Sequence, residues 1–127
     1  MAATHGWTLT VKPSGLPALP ADQATTITGD YSVDIDETVL AGATREVFSG
    51  SIDHTKILSW VFHSTQAACS VNTGQTFDLA TAKALGWNNT TMGTVTNPIT
   101  QTISTINVTN SDTKDTVFRA SFLMSAT

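Results

Sequence analysis

Most of the usual equipment for chemistry and for charged partners is missing from this chain. One cysteine, Cys69, excludes an internal disulfide, and its place in phase with Ala67 and Val71 reads as a small buried thiol. Charged residues make up only 13% of the 127 and the net charge is -4, with lysines and arginines scattered. No basic stripe is available to neutralise phosphates, which argues against nucleic-acid binding. No run of about 18 apolar residues that could span a bilayer occurs, and no cationic start leads into an apolar segment. The chain is therefore expected to be made in a cytoplasm and to have no membrane partner.

Proline is nearly absent beyond the first two dozen residues, where Pro13, Pro17 and Pro20 surround Gly15. That spacing excludes a helix or a central strand there. Trp7, Leu9 and Val11 alternate ahead of it, so residues 1–24 read as a short strand running into an extended, polyproline-like arm that carries Leu16 and Leu19. Residues 25–127 read as one β-sandwich domain, and the whole length suits a single core.

What the chain has in abundance is β-branched and alternating sequence. About one residue in five is Thr, which fits a pleated surface and offers a hydroxyl to water. Residues 25–36 alternate, with Ile27, Tyr31, Val33 and Ile35 on one face and Asp30, Asp34 and Asp36 on the other. Gly29 interrupts the apolar face and signals a bulge or the close approach of another backbone. Residues 44–49 form another strand, and Asp53 suits an Asx-turn.

Residues 56–63 are apolar on both sides, with Leu58, Trp60 and Phe62 on one face and Ile57 and Val61 on the other. Such a strand must be covered twice. A second alternating run through Ala67, Cys69 and Val71 suggests that it forms a hairpin with the first. Residues 76–85 read as strand, loop, strand in preference to the helix that Ala80, Ala82 and Ala84 would support. Residues 88–100, with Asn97 before Pro98, read as a long exposed loop, and residues 101–109 and 115–124 as two strands joined by a hairpin connection at 110–114. Many short strands without a long amphipathic helix give an all-β fold, an antiparallel β-sandwich or jelly roll.

No catalytic, cofactor or metal constellation stands out. Asp30, Asp34, Asp36 and Glu37 concentrate carboxylates, but a strand spaces them along a line whereas calcium needs six to eight oxygens around a point. His5, His54 and His63 lack zinc-ligand spacing. Asp53 beside His54 lacks any nucleophile-elbow context. Trp7, Trp60 and Trp87 would stack on sugars only if displayed together, and the apolar neighbours of Trp60 place it in a core. The Asn-X-Thr tripeptides at Asn88, Asn89 and Asn107 are expected by chance in a Thr-rich chain.

The order GSID, HTKILSWVFHSTQ and a short strand ending SVNT, then a Leu79-to-Trp87 stretch, an Asn97-Pro98-Ile99 loop and a strand ending Thr109-Asn110, resembles small virion structural proteins of tailed bacteriophages. The likeness covers residues 43–124. It implies a non-enzymatic decoration, or cement, protein, a homotrimer that binds the major capsid protein on the exterior of the virion and stabilises the head. The loop at 88–100 and the Pro-rich arm depart from the pattern. On this reading the interface with capsid or sister subunits is carried by Trp7, Leu9, Pro13, Leu16, Pro17, Leu19, Pro20, Asp34 and Asp36. The alternatives are a carbohydrate-binding β-sandwich module and a tail or head-completion component.

Overall fold

The computed structural model describes residues 2–9, 23–79, 84–90 and 95–127. Ten strands account for most of them. β1 (Ala3–Leu9) and β2 (Gln23–Gly29) pair only with each other, Trp7 opposite Thr25 and His5 opposite Ile27. β3 (Tyr31–Val39), β4 (Thr44–Ile52), β5 (Ile57–Ser64), β6 (Cys69–Asn72), β7 (Thr76–Asp78), β8 (Ala84–Asn88), β9 (Ile103–Asn110) and β10 (Thr116–Met124) make two four-stranded antiparallel sheets. One sheet runs β3-β10-β5-β8 and the other β4-β9-β6-β7.

The pairs β3 with β10, β4 with β9, β5 with β8 and β6 with β7 are nested, like one long hairpin folded at the β6–β7 turn. Pairing of β10 with β5 and of β9 with β6 then rolls that hairpin into two facing sheets, a jelly roll. At the innermost turn Gly74 takes φ +102°, open to glycine without strain, and its N–H donates to Asn72 Oδ1 at 2.8 Å.

Alternation supplies the core. Trp60 and Phe62 of β5, with Phe118 and Phe122 of β10, point inward at Val71, Ile106 and Val108 of the opposite sheet. Phe62 is the hub, its ring centroid 4.7 Å from Trp60, 5.7 Å from Phe77, 5.9 Å from Phe118 and 5.7 Å from Phe122. Ile57 joins this core although simple alternation puts it on the other face. Ser59 pairs with Leu123 and Ile57 with the next residue, Met124, so Leu58 is an extra residue that turns Ile57 inward.

Several connections differ from the sequence reading. Residues 25–36 are two strands, broken at Asp30, whose N–H donates to Met124 O at 2.8 Å while its carboxylate accepts from the Ala126 N–H. The close approach expected at Gly29 is present, since a Cβ there would lie 2.8 Å from both Leu123 Cγ and Met124 O. β5 and β6 do not form a hairpin, nor do β9 and β10; each pair is split between the two sheets. Residues 76–78 and 84–88 are strands, with 80–83 outside the described residues. The second half of the 88–100 loop is packed: Ile99 is buried, and Asn97 Oδ1 accepts from Trp60 Nε1 at 2.9 Å. Asp53 accepts from the Thr55 N–H and hydroxyl, capping a 3-10 turn at His54–Lys56, and these bonds hold its carboxyl below the usual carboxylate range.

Candidate functional site

Strand register lays out the outer face of the β3-β10-β5-β8 sheet in rows. One row is Asp34, Ser121, Val61 and Gly86; on one side lies Ser32, Leu123, Ser59 and Asn88, and on the other Asp36, Arg119, His63 and Ala84. Over this face lies the β1–β2 hairpin. The two apolar residues expected on the second face of β5 are thus accounted for separately: Ile57 is turned into the core by the bulge, and Val61 lies beside the chain's own first strand.

The contact is polar and ordered. Trp7 Nε1 donates to Ser59 Oγ at 2.9 Å; Ser59 Oγ is 2.8 Å from His5 Nδ1; His5 Nε2 is 2.7 Å from Ser121 Oγ; and Ser121 donates to Asp34 Oδ1 at 2.6 Å. Carboxylate is only an acceptor, so Ser121 spends its one hydrogen on Asp34 and accepts from His5 Nε2, which leaves Nδ1 of a neutral imidazole as the acceptor. Ser59 donates to Nδ1, and a neutral imidazole donates from Nε2 to Ser121. Burial pushes the His5 pKa below its usual 6.5, against a smaller upward pull from the Asp34 carboxylate. Trp7 also lies on Gly86, where an added Cβ would come within 2.6 Å of the indole.

A groove of about 290 Å³ opens beside this chain, lined by Thr4, His5, Gly6, Trp7, Val61 and Ser121. Its order of groups differs from that of a nucleophilic triad. The carboxylate contacts a serine and not the histidine, and the hydroxyl that donates to His5 belongs to Ser59, which has no solvent exposure.

The residues expected at an interface are distributed unevenly. Trp7 and Asp34 join the same network, which fastens the hairpin to its own sheet. Asp36 forms an exposed ion pair with Arg119 at 3.3 Å, and Leu9 ends β1 opposite Gln23. Pro13, Leu16, Pro17, Leu19 and Pro20 lie outside the described residues. Trp60 and Trp87 are 1% and 7% exposed, so the three tryptophans do not form a stacking platform.

Ser59 and Ser121 carry no expectation from the sequence, and His5 is weighed there only as a zinc ligand. The available signal was the pairing of His5 with Trp7 two residues on, which puts both on one face of a strand, and a serine in the middle of the apolar β5 run. Elsewhere, Cys69 is buried beside Ser64, and His54 meets Thr102 at 3.4 Å. Among the described residues no three of His, Cys, Asp and Glu gather as a metal site, and no helix is long and apolar enough to cross a membrane. Comparison with protein-family models, curated proteins and solved structures finds no match to this chain.

Proposed function

We propose that this chain is a non-enzymatic capsid decoration protein of a tailed bacteriophage, binding the major capsid protein on the outside of the head as a trimer and stabilising the lattice. The observation that carries this reading is the placement of the N-terminal hairpin. β1 and β2, which flank in sequence the Pro-rich segment with Leu16 and Leu19, are fastened to the outside of a complete jelly roll. An extended arm of restricted conformation loses little entropy on docking. Repeated on three subunits, modest contacts by such arms add up through effective concentration.

The test is co-sedimentation of the purified chain with heads that lack it. Deleting residues 1–22 would remove His5 and Trp7 as well, so the informative variant replaces residues 11–21 with a Gly/Ser linker of equal length. Saturable binding by the native chain, lost in the linker variant, is expected. Failure of the native chain to bind such heads overturns the proposal, and binding unchanged in the linker variant removes the arm from it. A copy number far below that of the capsid subunit would favour a tail or head-completion role instead.

A further inference from the structure

We propose that His5 is a pH-sensitive latch: its protonation releases the β1–β2 hairpin from the outer face of the β3-β10-β5-β8 sheet and uncovers the strip formed by Ser59, Val61, Gly86 and Leu123. This does not depend on the capsid reading. It rests on the hydrogen-bond order from Trp7 to Asp34, in which the imidazole has one acceptor nitrogen and one donor nitrogen, both used. A second proton on Nδ1 would face Ser59 Oγ, which already accepts from the Trp7 indole. Ser59 would then have to turn its own hydrogen away, and it is fully buried, with Trp7 and His5 as its side-chain hydrogen-bond partners among the described residues. A buried hydroxyl left without an acceptor destabilises the docked hairpin.

The surrounding charges do not compensate. From β3 the Asp34 carboxylate is the nearest, and it reaches the imidazole only through Ser121; Asp36 is engaged by Arg119 of β10. From β5 the only ionisable side chain on the outer face is His63, across from Arg119 and itself a cation when protonated. β2 and β8 contain no ionisable residue, and His5 is the only one in β1. The direction of the effect follows from the lowered pKa of His5. Docking is fully stabilised above the unperturbed value of 6.5 and is lost as pH falls from there through the docked-state value.

The experiment is nuclear magnetic resonance of the full chain between about pH 8 and about pH 5, above the carboxylate range. The His5 ring is followed together with amide exchange, corrected for intrinsic rates, in β1, β2 and β10. Protection of the β1 and β2 amides should fall by about tenfold or more with the midpoint of the His5 ring titration, while β10 amides keep theirs. H5Q should lose the pH dependence whether it stays docked or not, and H63N should keep it. Unchanged β1 and β2 protection across the range, or a transition that persists in H5Q, overturns the latch.

Discussion

Gly86 acts through what it leaves out. At Gly86 a Cβ would lie 2.6 Å from Trp7 Cη2 and 2.9 Å from the Trp60 carbonyl, with backbone on one side and a bonded indole on the other. Neither neighbour gives way cheaply, so Gly86→Ala should lift the hairpin at a cost of about 1–3 kcal/mol, in the range of overpacking. The loss should be read as faster exchange in β1 and β2 with little movement of the urea midpoint for the sandwich. Hairpin amides as protected as in the native chain would contradict the packing argument. The exposed Asp36–Arg119 pair, at 66% and 61% side-chain exposure, makes a useful contrast on the same sheet face. Asp36→Ala should change stability by less than about 0.5 kcal/mol, because solvent screens the pair and both side chains lose freedom in forming it. A larger shift in the urea midpoint would show that the pair is coupled to the network at Asp34.

At the scale of elements, the strands were legible from the period-2 pattern and the turns from their polar residues. What could not be read was the sheet to which each strand returns. Ser64–Cys69 and Asn110–Thr116 look like hairpin connections, because a chain reversal needs the same residue types whether it re-enters its own sheet or crosses to the facing one. The side chains at the corners decide. Asn110, fully buried at the end of β9, donates to Val39 O at 3.1 Å and Lys114 O at 2.8 Å, and accepts from the Asp112 N–H at 3.0 Å, joining strands of both sheets. Asn110→Ala should therefore cost about 2–3 kcal/mol, since it strands buried carbonyls. Equilibrium unfolding in urea checks this, and a change below about 0.5 kcal/mol would mean that the corner is held by backbone alone. The site was less legible than the fold for a related reason: the Trp7, His5, Ser59, Ser121 and Asp34 network is assembled from four strands far apart in sequence. Of these residues, Trp7 and Asp34 are expected from the sequence at an interface, and His5 is weighed only as a zinc ligand. In the structure Trp7 donates to Ser59 of the chain's own sheet, and Asp34, which stays exposed, accepts from Ser121.

For the whole molecule, the nested pairing makes the roll one cooperative unit and the hairpin a dependent one. β10 sits between β3 and β5, and Phe62 touches aromatic rings from β5, β7 and β10, so both sheets share one packed centre. The β1–β2 pair has no core of its own, and an isolated two-stranded ribbon is marginal in water. The chain should therefore lose order in a fixed sequence, hairpin before or with the roll and never after it. Phe62→Ala removes the hub and should cost about 3–5 kcal/mol, a large share of the roughly 5–15 kcal/mol that holds a domain of this size. In that variant, signals from both sheets and from the docked hairpin should disappear together at a lower urea concentration. In the native chain near pH 5 the hairpin signals should go first and the roll should unfold later, which separates local release from global unfolding. Hairpin contacts that survived the loss of the β3-β10-β5-β8 sheet would refute this order, because the platform they need, with Ser59, Gly86, Ser121 and Leu123 on one face, exists only when that sheet is formed.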